Sequence, residues 1–244
     1  MKEIRFFYVP DVNTTNELPE EEAMHALRVL RLKSGDEMML TDGDGNFYKA
    51  EITIAATRKC MFRLLETLPQ KALWQGHLHL VVSPTKMMER MEWMIEKATE
   101  IGFDRISFIN CDNSERRVVK TRRLEKIVVA AMKQSRKAWK PVVDEIVAFD
   151  EFLNLPNDGL KYIAHCYDEI PKSDFFDNLV AADKNANVTI MIGPEGDFSV
   201  SEVEKAMAAG YESVSLGESR LRTETAALAS VMMANLCKRV KVES

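Results

Sequence analysis

Along the chain, apolar residues recur at two spacings, and the spacing changes near residue 70. Before that point the apolar positions alternate in short runs broken by turns. EMMLTDGDGNFYKAEITI predicts two strands joined around Asp42–Asn46, KCMFRLLETL predicts another, and RFFYV predicts an opening strand. Between the opening strand and this meander, PEEEAMHALRVLRLKSGD predicts a helix. Pro19 and three glutamates suit a first turn, where the positive end of the helix dipole favours anions, and Gly35 supplies a stop. One helix among short strands predicts a small barrel-like domain. The join falls in LPQKALWQG at 68–76, so the expected domains are 1–70 and 76–244.

Beyond the join, strands alternate with helices. GHLHLVVS predicts a strand ending in a Ser-Pro turn, and residues 86–101 predict a helix with Met87, Met91, Met94, Ala98 and Ile101 along one stripe. DRISFIN predicts a strand and TRRLEKIVVAAMKQSRKAW a long helix with a basic outer face. KYIAHC and VTIMIG predict strands without charges after their first residues. A helix over 200–209, the short strand ESVSLG and a final helix TETAALASVMMANLCKRV complete the pattern. The alternation implies an α/β domain with a mainly parallel sheet covered on both faces. Ligands of such sheets lie at the carboxyl ends of the strands.

Composition narrows the function classes. Of the 244 residues 46% are hydrophobic and 29% charged, ample for a core and an ordinary soluble surface. No apolar run is long enough to cross a bilayer, and MKEIRFFYVPD does not read as a secretory leader, so a cytoplasmic protein without a membrane role is expected. Cysteines 60, 111, 166 and 237 form no CxxC pair and read as reduced thiols, not as a zinc site. The net charge is -5, yet Glu115 to Lys140 holds ten Lys or Arg against two Glu, a local net of +8. One concentrated basic segment on an acidic chain can attract a polyanion, although a solvated basic helix has the same composition.

Three loops follow predicted strands and carry the candidate chemistry. VTIMIGPEGDFS turns through Gly193–Phe198, with Ser199 as N-cap and Glu202 completing a capping box. The turn can serve chain geometry alone or form a ligand rim. Phosphate binding is disfavoured, because there is no GxxxxGK[ST] and Glu195 repels phosphate. VSLGESRLRTETAALAS places Arg220 and Arg222 before a helix start, where they can serve the surface or a helix cap. Because that placement is unfavourable by dipole alone, one or both facing a ligand, a carboxylate or RNA is the other reading. In AHCYDE, His165 is either functional or a packed, hydrogen-bonded residue. His77 and His79 share one side of a strand, with no Cys or acidic pair to complete a metal site. By spacing alone the chain is a two-domain α/β protein with a small-molecule pocket and a basic ridge.

GPEGDFSVSEVEKAMAAGYESVSLGESRLRTETAALA resembles the carboxyl-terminal motifs of the bacterial enzymes that methylate N3 of a uridine in 16S ribosomal RNA, members of the SPOUT superfamily. HALRVLRLKSGD, RMEWMIEKATEIGFDRI, SERRVVK and KQSRKAWKP extend the likeness, in order, over nearly the whole chain. The resemblance implies an amino-terminal PUA-like β-barrel, a trefoil-knotted α/β domain, S-adenosylmethionine as methyl donor and a homodimer acting on 16S ribosomal RNA in an assembled or nearly assembled small subunit. It assigns the cofactor to Ile192, Gly193, Pro194, Glu195 and Gly196, and to Leu216, Gly217, Ser219 and Leu221. Arg220 and Arg222 are the expected orienting residues, with Glu195 or Glu224 available to orient an arginine or to accept a proton through water. RNA contact is expected from Arg116, Arg117, Lys120, Arg136 and Lys140, joined by Arg5, Arg28 and Arg31. Where the family commonly reads GPEGG this chain has Asp197, whose side chain is expected to point outward. A related knotted enzyme acting on another RNA, or a non-catalytic RNA-binding assembly protein, would share parts of this pattern.

Overall fold

A computed structural model of the chain describes residues 5–239. Two compact units divide it: residues 1–72 with 129–140, and residues 73–128 with 141–244. The division falls inside the predicted join, but the first unit also takes up a later segment, which the contiguous pattern gave no reason to expect.

In the first unit the strands β1 (Phe6–Tyr8), β2 (Glu37–Thr41), β3 (Asn46–Ala55) and β4 (Cys60–Pro69) form one sheet in sequence order. β1 pairs parallel to β2, and the other pairs are antiparallel. Asp42 organises the β2–β3 turn, accepting from Asp44 N, Asn46 N, Asn46 Nδ2 and the Tyr48 hydroxyl. The helix predicted between β1 and β2 is shorter than expected. α1 (Glu20–Met24) has Pro19 as its N-cap, and a π-helical turn, His25–Val29, follows it. Arg31, with φ of 55°, ends the helical stretch before Gly35 is reached. Phe7, Met38, Leu40, Tyr48, Ile52 and Phe62 are buried in this unit's core.

The second unit contains β5 (Leu78–Val82), α2 (Met88–Ile101), β6 (Arg105–Asn110), β7 (Val142–Ala148), α4 (Phe149–Leu153) and β8 (Leu160–Ala164). The helix α3 (Thr121–Gln134) precedes β7 and is divided between the units, its residues 129–134 counting with the first. β9 (Ser173–Asp174), α5 (Phe175–Ala181), β10 (Val188–Ile192), α6 (Val200–Ala208), β11 (Glu212–Ser215) and α7 (Thr223–Lys238) follow in the second. β7, α4, β9 and α5 had no clear signal in the sequence pattern. The α2 stripe also shifts: Met87 stands before the helix and is 49% exposed, while Met91, Met94, Ile95 and Ala98 are buried.

The seven strands lie in the order β7-β6-β5-β10-β8-β11-β9, and every pairing is parallel. Two late strands are inserted among earlier ones: β10 between β5 and β8, and β11 between β8 and β9. This non-sequential parallel sheet, with a small PUA-like unit, is the arrangement implied by the SPOUT resemblance. Alternation along the strands serves two cores. Leu78, Leu80, Val82, Ile190 and Ile192 face one side, and Val81, Met191 and Ile109 face the other. All five β10 residues are buried, which explains why VTIMI carries no charge. Among the described residues no helix is long and apolar enough to span a membrane.

Candidate active site

Because all seven strands run parallel, their carboxyl ends lie along one edge, and the central ends of β8, β10 and β11 open onto a cavity of about 780 Å³. That volume lies within the range of small-molecule sites, about 300–1,000 Å³. Its walls are the three loops singled out in the sequence.

The turn after β10 is tethered from four directions. Asp197 N donates to the Pro194 carbonyl at 3.0 Å, closing the turn on itself. Thr223 Oγ1 donates to the Gly193 carbonyl at 2.9 Å, linking the first residue of α7 to the end of β10. Asn113 Nδ2, from the loop after β6, donates to the carbonyls of Gly196 and Asp197, both at 3.1 Å. Tyr167, from the loop after β8, donates its hydroxyl to the Phe198 carbonyl at 2.6 Å. From the loop after β5, Lys86 N donates to Glu195 Oε1 at 2.9 Å. The predicted capping box then starts α6: Ser199 Oγ accepts from Glu202 N, and Ser199 N donates to Glu202.

Backbone conformation explains the glycines differently at each position. A Cβ on Gly193 would lie 3.1 Å from Phe198 N and from the Phe198 ring, so a side chain there would crowd Phe198 and close approach favours glycine. Gly217, in the loop after β11, has φ of 118° with nothing within 4 Å of a built Cβ, so dihedral strain alone selects glycine. Gly196 does not line the cavity, and its carbonyl and Cα pack against Asn113. Asp197 does not point outward as expected. Its φ is 63°, in the left-handed region where glycine is easiest and Asp or Asn next best. Its carboxylate turns inward, Oδ2 accepting from Cys166 N and Oδ1 from Phe198 N, each at 2.8 Å.

Of the residues assigned to cofactor or catalysis, Ile192, Gly193, Pro194, Glu195, Leu216, Gly217, Ser219, Arg220, Leu221 and Arg222 all line the cavity. Glu224, the other acid considered for orienting an arginine, lines it as well, as do Arg90, Cys166, Asp168, Lys172 and Glu218, which had not been assigned. The acids sort by engagement. Glu195 is committed to the Lys86 amide, and Glu224 pairs with Arg90 at 3.2 Å, so it orients an arginine on α2 and not Arg220 or Arg222. Arg220 and Arg222 are exposed on the rim and bond no described residue through their guanidinium groups. Arg222 sits at the N-cap of α7 without capping it, as its positive charge dictates.

His165 takes the packed alternative. It is 7% exposed, its Nδ1 accepts from Tyr167 N at 3.2 Å, and its Nε2 therefore carries the proton toward Ser213 Oγ at 2.6 Å. Burial lowers its pKa, with Lys172 acting in the same sense, so the ring is a neutral wall of the cavity. His79 is likewise structural, lying 2.7 Å from Ser107 Oγ at the opposite end of the sheet. Among the described residues no cluster of His, Cys, Asp and Glu could hold a metal, and the four cysteines are free thiols.

The predicted RNA-contact residues divide between the units. Arg5, Arg28, Arg31, Arg136 and Lys140 belong to the first, and Arg116, Arg117 and Lys120 to the second. Arg116 spends two nitrogens on the Lys86 carbonyl, at 3.1 and 2.8 Å, so Lys86 is held by its carbonyl as well as by its amide, which donates to Glu195. Arg136 lies 5.9 Å from the Phe6 ring centroid.

Residues 73–235 match the RNA methyltransferase domain family, and residues 18–64 match the RNA methyltransferase PUA domain. A ribosomal RNA small subunit methyltransferase E of Rickettsia conorii is 29% identical over 228 residues, covering 92% of this chain and 91% of its own. The chain belongs to the RNA methyltransferase family. Solved structures of RNA methyltransferases match most of the chain. A probable rRNA-methyltransferase from Porphyromonas gingivalis is 40% identical with a TM-score of 0.87, covering 96% of this chain and 98% of that one. The ribosomal RNA small subunit methyltransferase E of Neisseria gonorrhoeae, solved bound to S-adenosyl methionine, is 27% identical with a TM-score of 0.81, covering 94% and 95%. The cavity and its three loops lie within the span of the methyltransferase domain, closing at Ala226.

Proposed function

We propose that this chain transfers the methyl group of S-adenosylmethionine to N3 of a uridine in 16S ribosomal RNA. The observation that carries the reading is the tethered cavity at the ends of β8, β10 and β11, with two arginines free at its rim. Its residues suit the donor. Ile192, Val214, Leu216, Leu221 and Ala226 supply apolar surface for an adenine ring, the loop backbones supply hydrogen-bonding groups, and Asp168 and Glu218 supply negative charge for an ammonium. The relatives named small subunit methyltransferase E, one of them solved with S-adenosyl methionine, support the donor and the RNA class.

When bound, S-adenosylmethionine supplies an electrophilic methyl group. The chain's own residues must then align uridine N3 and manage its proton, because the neutral imide is a poor nucleophile. Arg220 and Arg222 orient the pyrimidine and stabilise charge developing on its carbonyl oxygens. Glu195 is spent on the loop after β5, so it belongs to the framework of the site and not to the proton transfer. The basic residues 116, 117, 120, 136 and 140, with 5, 28 and 31, hold the RNA backbone. Each phosphate contact contributes about 0.7 to the log–log salt slope for single strands. The working form is a cytoplasmic homodimer acting on an assembled or nearly assembled small subunit.

Nucleoside mass spectrometry tests the reaction. Small-subunit RNA from a strain lacking the enzyme, incubated with this protein and S-adenosylmethionine, should gain N3-methyluridine. Methylation elsewhere, or none, would overturn the assignment. Arg222→Ala should lose turnover while binding S-adenosylmethionine as before, and wild-type turnover would remove Arg222 from the mechanism.

A further inference from the structure

The β8–β10 ladder ends at the Ile192–Ala164 pair. Beyond it the two loops diverge around the cavity, and two side chains bridge them: the Tyr167 hydroxyl to the Phe198 carbonyl, and the Asp197 carboxylate to the Cys166 amide. Cys166 and Asp197 both line the cavity, so the second bridge spans its wall directly. The chain holds Asp197 at φ of 63°, a conformation that opposes a residue with a Cβ. The turn's own backbone would be served better by glycine. What aspartate adds is a charged acceptor that takes two amides, one local at Phe198 and one across the cavity wall at Cys166.

We propose that Asp197 is a positioning residue for the methyl donor. Its carboxylate continues the β8–β10 pairing past the end of the ladder and holds the two cavity walls at the separation that receives the donor. The inference rests on the reading of this cavity as the S-adenosylmethionine site. Because the donor is gripped by loops, a looser wall weakens binding without altering the groups that act on uridine. Asp197→Gly removes the carboxylate and suits the left-handed backbone. Asp197→Asn tolerates the same backbone and keeps one neutral acceptor, so it should restore part of the function.

Amide hydrogen exchange on the cofactor-free full chain tests the bridge itself. In D197G the Cys166 amide should exchange about tenfold faster, the scale of one lost hydrogen bond to a charged group, while the β5 and β6 amides stay unchanged. Calorimetry should show S-adenosylmethionine bound about tenfold more weakly by D197G and at an intermediate affinity by D197N. KM for the donor should rise with kcat at saturation within about twofold. Unchanged exchange at Cys166, or faster exchange throughout the domain, would overturn the proposal. So would local opening with donor affinity within twofold of wild type. If the wild-type protein binds no S-adenosylmethionine, the functional reading fails, and the Cys166 exchange still decides whether Asp197 joins the walls.

Discussion

Replacing Thr223 by valine removes one hydroxyl from the joint between α7 and the turn after β10. Thr223 is 6% exposed, and its Oγ1 donates to the Gly193 carbonyl at 2.9 Å. Valine has nearly the same shape, so the perturbation reduces to one lost hydrogen bond and the buried acceptor left behind. Such an acceptor costs about 1–3 kcal/mol, and the middle of that range is the expected loss. In a domain of 150–250 residues each kcal/mol moves the melting temperature by roughly 2–4 °C, so T223V should melt roughly 4–8 °C below wild type. Thr223→Ser keeps the donor and loses one methyl group, worth about 0.8 kcal/mol, so it should melt between the two. Calorimetry with S-adenosylmethionine should follow the same order, because the Gly193 carbonyl anchors one wall of the cavity. The reasoning fails if T223V melts with wild type, or if T223S falls as far as T223V. The second result would assign the effect to packing and not to the hydrogen bond.

Two further outcomes follow from groups with separate physical causes. Burial lowers the His79 pKa to about 4, with Arg105 and His77 acting in the same sense and Asp144 opposing. The unfolded imidazole titrates near 6.5, so the unfolded chain takes up the extra proton first. Stability is therefore full above about pH 6.5 and falls toward pH 4, by about 3 kcal/mol in all from this group. Denaturant unfolding of wild type and His79→Gln between pH 4 and 7 checks it, and stability curves that stay parallel would refute it. Gly217→Ala introduces a Cβ with open space around it at φ of 118°, so its cost of about 1 kcal/mol or more comes from the backbone alone. A lower melting temperature and weaker S-adenosylmethionine binding are expected, and an unchanged loop would show that the dihedral is not required.

Several elements were legible because their causes are local. VTIMI reads as a buried strand from its own residues, and Ser199 with Glu202 reads as a helix start because the partners sit three positions apart. The β2–β3 turn is legible for the same reason, since Asp42 bonds residues two to six positions away. Elements with weak local signals were missed. β7 is two residues from the end of the tryptophan-bearing basic stretch, and its burial is only partial along its length, so it shows no clean alternation. The non-sequential strand order was also beyond periodicity, because ordinary connection rules favour simple sequential connections and only the family resemblance pointed elsewhere.

The sequence by itself determined the strand-helix alternation, the three loops that carry chemistry and the reduced state expected of its dispersed cysteines. The family resemblance carried by its motifs named ten residues that line the cavity. Only the tertiary structure decided which polar groups are spent and which stay free. Glu195 meets Lys86 across 109 positions, Glu224 meets Arg90 across 134, and Asp197 reaches Cys166 across 31. Glu195 and Asp197 meet their partners because β10 is inserted between β5 and β8, which brings the loops after those strands together, and Glu224 meets Arg90 because α7 packs against α2. Spacing along the chain carries no information about such meetings. A hydrogen bond depends on distances in space, and those were set when the last strands took their places in the sheet.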